Sequence, residues 1–202
     1  MKIVSIGLLK WRSDTLEPII LAQEMELSNF GFFQRGSVAE MIRFFCRTFV
    51  KRTPHGTMQS VQHEEYNIHI YLRTDGLAGV VVSDLEYPSR VAMVLISKMF
   101  EDFTSTATNI CRWEHSTSDV NLDLPFLKQA LMKFQNPSEA DKLTKIQREL
   151  DQTTVILQQT IASVLDRGVK LDDLVNKSND LSNQSKIFYR RAKETNSCCV
   201  IN

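Results

Sequence analysis

The fold of this chain is decided by the stretch Val164-Leu165-Asp166-Arg167-Gly168-Val169-Lys170-Leu171-Asp172-Asp173-Leu174-Val175. On both sides of Arg167, positions spaced alternately three and four residues apart carry apolar or small side chains over many helical turns. The upstream positions are Val164, Thr160, Leu157, Thr153, Leu150, Ile146 and Leu143, and the downstream positions are Leu171, Leu174, Ser178, Leu181, Ser185, Phe188, Ala192 and Thr195. A sustained period of 3.5 residues is typical of a coiled-coil seam that faces partner helices.

Arg167 is the one charged residue in this seam. A buried guanidinium without acceptors costs several kcal/mol, on the order of the penalty for breaking a buried ion pair, so acceptors must come from another chain. The alternative, a solvated arginine on an ordinary amphipathic helix, is disfavoured by the flanking layers in register. Five layers are Ser or Thr and one is Ala, which is little apolar surface against roughly 1–2 kcal/mol of backbone ordering entropy per residue. We therefore expect the segment to be mobile, or folded back on its own chain, until partner helices arrive.

This stretch resembles the centre of an R-SNARE motif, the arginine-bearing helix of the four-helix bundle that drives membrane fusion. The resemblance implies that Arg167 is the zero-layer residue and donates to three glutamines from three Q-SNARE helices. A guanidinium has five N–H donors and no acceptor, so three amide carbonyls can satisfy it. The resemblance also implies contact with the general SNARE disassembly machinery and with tethering factors.

The composition limits what else the chain can be. It has 202 residues and no net formal charge, which leaves room for one packed domain and a helical appendage, and gives no overall attraction to nucleic acid. No apolar run is long enough to span a membrane, and the N-terminus does not read as a secretory signal. Cys46 and Cys111 are isolated while Cys198 and Cys199 are adjacent, so we expect no disulfide framework and a reducing, cytosolic setting.

The first two thirds of the chain predict an α+β domain. Two opening strands precede a helix that carries apolar residues at helical spacing and ends before Pro54. Three further strands between Met58 and Ser83 are joined by short turns, one of them at Asp75-Gly76. The helix Ser89 to Thr104 follows, then a loop from Ser105 to Asn121 and a short helix near Leu124 to Phe134. We expect Ser37 to cap the first helix, with Glu40 completing a capping box.

This order of elements resembles a longin domain, a profilin-like fold with a five-stranded antiparallel sheet flanked by helices. The stretches Phe30-Gly31-Phe32-Phe33 and Asp84-Leu85-Glu86-Tyr87-Pro88 carry the resemblance. A longin domain followed by an R-SNARE coiled-coil helix is the architecture of the longin SNAREs. The predicted divisions are a longin domain over residues 1–136, an R-SNARE motif over 138–198 and a lipidated tail over 199–202.

The end of the sequence predicts lipid attachment. Cys199 is followed by Val200, Ile201 and Asn202, the C-a-a-X arrangement for prenylation, and Cys198 offers a second thiol. Asn202 departs from the usual last residues, and its likeness to Gln favours farnesyl over geranylgeranyl. The resemblance to the prenylated member of the longin R-SNAREs implies farnesyl on Cys199, palmitoyl or a second prenyl group on Cys198, and reversible membrane cycling. One lipid chain anchors a protein only marginally, whereas two anchor it stably.

A soluble pool must hide the farnesyl group and the half-apolar helix. The resemblance implies that the SNARE segment folds back on the longin domain and that Phe44 contacts it. The expected function is that of an R-SNARE in vesicle docking and fusion, autoinhibited by the longin domain. The cellular compartments that the resemblance implies are the cytosol and the cytoplasmic faces of several membranes: those of the Golgi, ER-derived vesicles, endosomes or vacuoles, and autophagosomes.

Two other classes of function fit the sequence less well. A lipid-anchored coiled-coil scaffold without fusion activity would bring central arginines of two copies together, which is unfavourable. An enzyme would need a catalytic or metal constellation, and His55, His63, His69 and His115 are scattered with no phosphate-binding glycine loop. We therefore expect no catalytic residue, no metal and no cofactor apart from the covalent lipids.

Overall fold

The computed structural model describes residues 2–107, 113–136, 155–166 and 168–197. A six-stranded sheet carries helices on both faces. The strands are β1 (Ile3–Lys10), β2 (Ile19–Met25), β3 (Thr57–His63), β4 (Tyr66–Leu72), β5 (Leu77–Asp84) and β6 (Ile156–Thr160). The helices are α1 (Arg35–Lys51), α2 (Ser89–Ala107), α3 (Pro125–Lys133), α4 (Ile161–Val164), α5 (Leu171–Lys177) and α6 (Asn183–Ser197), with a 3₁₀ turn at Trp113–His115.

The strand order is β2-β1-β5-β4-β3-β6. The first five strands pair antiparallel with their neighbours, as the longin resemblance implies, and the α+β class is confirmed. The predicted count of five strands is one short, because β6 comes from the segment after the domain and pairs in parallel with β3. Asp75-Gly76 makes the predicted turn between β4 and β5, where Gly76 takes a φ of 89°, a backbone angle that favours glycine.

Alternation along β4 separates two apolar cores. Ile68, Ile70 and Leu72 face α1, whereas Tyr71 packs against the core beneath α2 and α3. Tyr87, from the second longin signature, is buried between these elements and donates from its hydroxyl to the Phe134 carbonyl over 3.0 Å. Each face of the sheet therefore has its own hydrophobic layer. Helices α4 and α6 of the C-terminal segment pack on the face under α1, whereas Ile156 of β6 packs on the opposite face.

Two local predictions were wrong. Helix α1 begins at Arg35, two residues before the expected cap, because the Gln34 carbonyl already accepts from the Val38 N–H over 2.9 Å. Ser37 is buried inside the helix, and Glu40 is engaged elsewhere. Helix α2 continues to Ala107, so the predicted loop starts later than Ser105. The end of that loop is not free, since Val120 donates to Ile20 and covers the edge of β2.

His69 is fully buried between two hydroxyls. Its Nδ1 lies 2.7 Å from Ser60 Oγ and its Nε2 lies 3.1 Å from Ser83 Oγ. The Ser83 hydroxyl donates to the Asp84 carbonyl, which indicates that the imidazole carries its proton on Nε2 and accepts from Ser60 at Nδ1. Burial lowers the pKa of His69 from its ordinary value of 6.5 to about 4.

Within the described ranges, no helix combines the length and the apolar character that crossing a bilayer requires.

We expect the free energy of unfolding to fall as the pH drops from about 6.5 towards 4, because the unfolded chain then binds a proton at His69 that the folded chain does not. The loss attributable to this group reaches roughly 3 kcal/mol at the acid end of the window. Urea denaturation at pH 7 and pH 5 should show a smaller difference for His69→Gln than for the parent. His63→Gln should change the difference less, since that ring is less buried. Equal pH dependence of the parent and His69→Gln chains would contradict the assignment.

Candidate interaction site of the C-terminal segment

The C-terminal segment returns to the domain as strand β6. Its register pairs Met58 with Ile156 and Gln62 with Thr160, so it covers an edge of β3 that would otherwise expose unpaired backbone groups. Side chains contribute less to this contact. Ile156 packs against the core, but Val155 is 73% exposed and the seam residue Leu157 is 39% exposed. Backbone hydrogen bonds therefore supply most of the attachment of β6.

A capped turn follows the strand. Thr160 is the N-cap of the short helix α4, and its N–H donates to Ser163 Oγ over 2.9 Å. Ile161 and Val164 then pack against the core beneath α1. Gly168 adopts a φ of 89°, and the Val169 N–H donates back to the Asp166 carbonyl, which reverses the chain before α5. A residue with a Cβ would be strained at Gly168, so this glycine permits the fold-back.

An apolar cluster joins α1 to the returning segment. Met41 and Phe44 of α1 pack with four side chains of the segment, Leu165, Leu171, Val175 and Leu181. Phe44 is 8% exposed and Val175 is 1% exposed. Full burial of such side chains stabilises by about 1.5–3 kcal/mol each. This cluster, which we call the Phe44 cluster, is the main hydrophobic contact between the domain and the segment.

Polar contacts flank the Phe44 cluster. Glu40 Oε2 accepts from the Ser182 N–H over 2.9 Å and from the Ser185 hydroxyl over 2.7 Å. Burial raises the pKa of Glu40, but the hydrogen bonds from Ser182 and Ser185 lower it more, so the net pKa lies below the ordinary value. Arg47 forms ion pairs with Asp119 and Asp180, which ties the segment to the loop that covers β2. Both carboxylates are nearly half exposed. These ion pairs therefore help to orient the segment but contribute little to the free energy of folding.

Helices α5 and α6 form a hairpin of their own. Asp172 accepts from the Tyr189 hydroxyl over 2.9 Å and forms an ion pair with Lys193. The hydrogen bond from Lys193 is the main cause that holds the pKa of Asp172 below its ordinary value. Lys186 and Arg190 both donate to Asn176, over 3.0 and 2.6 Å. The cations of α6 are thus largely occupied by α5 in this arrangement.

A groove lies between α1, the β3–β4 hairpin and α6. Its cavity volume is about 230 Å³ and its lining is almost entirely apolar. The residues that matter most here are Phe30, Val38, Phe45, Tyr66, Phe188 and Ala192. His63 also lines it, edge-on to Phe45, and burial lowers the pKa of His63. Because Phe188 and Ala192 are seam residues, the groove exists only while α6 lies against the domain.

The seam residues predicted from the sequence fall into three groups. Leu171, Leu181 and Ser185 are buried against the domain, and Leu174, Phe188 and Ala192 are half-buried there. Leu157, Thr160 and Thr195 are exposed, Val164 packs beneath α1, and Ser178 lies at the end of α5. Leu143, Ile146, Leu150, Thr153, the zero-layer Arg167 and the lipidation candidates Cys198 and Cys199 lie outside the described residues.

The segment is not one helix in this structure, although the seam predicts a single coiled-coil helix with its partners. Its described residues, 155–166 and 168–197, form a strand and three helices, with breaks around Gly168 and between Ser178 and Ser182. Sequence reasoning also missed the contacts of Glu40, Arg47 and Asp172. The position of Glu40 three residues after Ser37 suggests a local cap instead of a contact with Ser182 and Ser185. Arg47 and Asp172 carry no comparable pattern.

Comparisons with known proteins agree with both halves of this architecture. A longin family model, described as a regulated-SNARE-like domain, matches residues 27–121, and a synaptobrevin model matches residues 142–201. The chain is 48% identical to the VAMP-like protein YKT61 of Arabidopsis thaliana over 201 residues, the full length of both chains. It is also 43% identical to the synaptobrevin homolog ykt6 of Schizosaccharomyces pombe, again over the full length of both.

We expect Phe44→Ala to release the segment while the domain stays folded, because Phe44 belongs to the contact cluster and not to either core of the sheet. Truncating a buried Phe costs about 3–5 kcal/mol where the site cannot collapse. Hydrogen exchange should therefore accelerate at least tenfold at residues 171–177 and 183–195, with protection of β1 and β5 unchanged. Phe32→Ala, at a ring that is 77% exposed, is the matched control and should leave exchange as in the parent. Unchanged protection of α5 and α6 in Phe44→Ala would rule out the Phe44 cluster as the main contact.

Proposed function

Because this chain belongs to the longin-bearing synaptobrevin family and is an R-SNARE of vesicle fusion, we propose that its own longin domain holds it in an autoinhibited state until three Q-SNARE helices arrive. Members of this family are trafficking proteins and not enzymes. No cofactor belongs to the family, and the described residues contain no group of side chains suited to a metal ion.

The observation that carries this proposal is that residues predicted to face partner helices are the same residues that contact the longin domain. Leu171, Leu181 and Ser185 are a or d residues of the predicted coiled coil, and all three are buried against the longin domain. A side chain cannot fill a layer of a four-helix bundle while it packs beside Phe44 or donates to Glu40. Folding back and zippering therefore exclude each other, and the equilibrium between them sets how readily the chain assembles.

The folded-back state is suited to reversal. Strand β6 keeps Leu157 largely exposed, and the ion pairs of Arg47 reach carboxylates that water also contacts. Three partner helices offer continuous apolar layers and, at the centre, three glutamine carbonyls for Arg167. Those carbonyls supply the acceptors that a buried guanidinium needs, so central pairing favours the open chain over the closed one.

We assign residues 1–136 to the longin domain, 138–198 to the R-SNARE segment and 199–202 to the tail. Farnesyl on Cys199 and a second lipid on Cys198 would anchor the chain without a transmembrane helix. From Ala192 in the groove, about 7.5 Å of helix leads to Ser197 at about 1.5 Å per residue. The tail can therefore turn back so that a prenyl chain enters the apolar groove. Opening α6 removes Phe188 and Ala192 from the groove and would release the lipid to a membrane.

In this cycle the soluble form carries one lipid and is closed, and the membrane form carries two lipids and is open. The compartments proposed are the cytosol and the cytoplasmic faces of Golgi, ER-derived vesicle, endosomal or vacuolar and autophagosomal membranes. Tethering factors and the SNARE disassembly machinery are the further partners that such a cycle requires.

We expect the chain to assemble with three Q-SNARE helices and Arg167→Leu to weaken that assembly when the partner glutamines are kept. The leucine would leave three buried amides without a donor, at about 1–3 kcal/mol for each unsatisfied group. Thermal melting of the purified complex, followed by circular dichroism, measures the difference. Arg191→Leu removes the same charge from an exposed position outside the seam and should melt as the parent does. Equal melting of the Arg167→Leu and parent complexes would sink the R-SNARE assignment of this residue.

Autoinhibition is tested in the same assay by rate. We expect Phe44→Ala to assemble at least tenfold faster than the parent and Phe32→Ala to assemble at the parent rate. Equal rates for all three chains would mean that the domain does not restrain the segment.

We expect mass spectrometry of the C-terminal peptide from eukaryotic cells to find a prenyl group on Cys199. Treatment with hydroxylamine should remove any acyl group from Cys198, because it cleaves thioesters and leaves the prenyl thioether intact. Cys199→Ser should abolish both modifications, since the second lipid needs a chain already held at a membrane, whereas Cys198→Ser should keep the prenyl group. An unmodified Cys199 in the parent would refute the lipid cycle.

A further inference from the structure

The turn before α1 presents two phenylalanines to solvent. Phe32 is 77% exposed and Phe33 is 89% exposed, and their rings meet edge to face with centroids 5.5 Å apart. Phe30, two residues earlier, turns inward and lines the apolar groove. Exposed aromatic pairs of this kind contribute nothing to the core, and a large exposed apolar feature marks an interaction site.

Backbone and side-chain hydrogen bonds hold this turn in shape. The Gln34 N–H donates to the Gly31 carbonyl over 2.8 Å, and the Phe30 N–H donates to the Leu27 carbonyl over 3.1 Å. Arg35 donates from Nε to the Phe30 carbonyl and from its terminal nitrogen to the Ser28 carbonyl, over 3.2 and 3.3 Å. The two rings are therefore presented by a fixed support, which lowers the entropy lost when they bind.

The charged residues around the turn favour contact with a partner that has an anionic surface. Arg35 and Lys2 lie beside it, and Lys2 donates to Asn29 Oδ1. Glu26 is the opposing carboxylate, and its pKa is held down mainly by hydrogen bonds from Ser28, with a smaller effect of Arg35 and Lys2. Glu64 and Glu65 line the groove, so the cationic character is confined to the turn itself.

Helix α6 runs towards the side of the molecule that carries this turn. Along the segment, Asp180 meets Arg47, then Ser185 meets Glu40, so α6 runs towards the N-terminal end of α1. Further along, Ala192 shares the groove with Phe30, and α6 ends at Ser197. The turn with its two exposed rings thus lies at the end of the molecule towards which α6 runs.

We propose that the Phe32–Phe33 turn is a membrane wedge, which inserts both rings into the bilayer interface while Arg35 and Lys2 meet anionic headgroups. The placement of the wedge beside the anchor rests on the proposed lipidation, whereas the insertion itself does not. Two convex rings on a short turn suit a deformable apolar medium, because a folded protein would need a pocket shaped for both. In the closed form the single prenyl chain lies in the groove. Once that chain has left the groove, insertion of the two rings adds a second signal for membrane binding before the second lipid is attached.

The test replaces the lipid by a tether, so that it remains decisive if the lipidation proposal fails. The full chain carries a polyhistidine extension after Asn202 and is held on vesicles of phosphatidylcholine and phosphatidylserine that contain a nickel-chelating lipid. Tryptophan fluorescence of Phe33→Trp is compared with that of the parent, whose Trp11 and Trp113 give the background. We expect the added tryptophan to shift to shorter wavelength and to be quenched by brominated acyl chains. Absence of quenching overturns the proposal.

A second measurement uses untethered binding. We expect Phe32→Ser/Phe33→Ser to weaken partition of the prenylated chain onto the same vesicles at least tenfold, without changing its melting temperature. The control Leu16→Ser/Met132→Ser removes two exposed apolar side chains elsewhere, at 46% and 66% exposure, and should stay within twofold of the parent. Equal loss in both double variants overturns the proposal. So does a parent that self-associates in solution through the two rings, which would identify a second copy of the chain as their partner.

Discussion

The seam residues of the C-terminal segment can be buried against only one surface at a time, and the rest of the structure depends on this constraint. Leu171, Leu181 and Ser185 occupy predicted core positions of a helical bundle, yet here they are buried against the longin domain. If they had no partner, the chain would expose an apolar stripe. The longin domain provides a substitute partner, and its Met41 and Phe44 present the apolar surface that the stripe needs.

The substitute contact also explains why the segment does not form one helix here. With five layers of Ser or Thr, the seam cannot hold an isolated helix against its ordering entropy, and helices in proteins gain most of their stability from packing. Without partner helices to stabilise one long helix, the local conformational preferences of the residues determine the secondary structure. Ile156 and Thr160 are β-branched residues of a stretch that lies beside an open edge of β3, and this stretch enters the sheet as a strand. Gly168 then supplies the positive φ that turns the chain back.

The sequence predicted the architecture well because its strongest signals come from patterns that tertiary contacts do not change. The three strands expected between Met58 and Ser83, the turn at Asp75-Gly76 and the helix that starts at Ser89 all appear. The folded-back arrangement of residues 156–166 could not be derived in detail, since the same letters satisfy a helical seam and an edge strand. Glu40 was assigned to a local cap because the pattern of Ser37 and Glu40 contains no trace of Ser182 and Ser185, which lie far along the chain.

The closed arrangement also redistributes charge. Asp172 and Asn176 of α5 engage Lys193, Lys186 and Arg190 of α6, so these cations are occupied by their own chain while the hairpin is closed. A basic residue near an anionic leaflet contributes about 1 kcal/mol of attraction only when it can approach the headgroups. Straightening α5 and α6 into one helix separates Asp172 from Lys193, because residues 21 apart along a helix lie about 30 Å from each other at about 1.5 Å per residue. In the cycle that we propose, assembly with partner helices would therefore free the cations of α6 in the same step that frees the seam, and the attraction of the chain to an anionic membrane would rise with it.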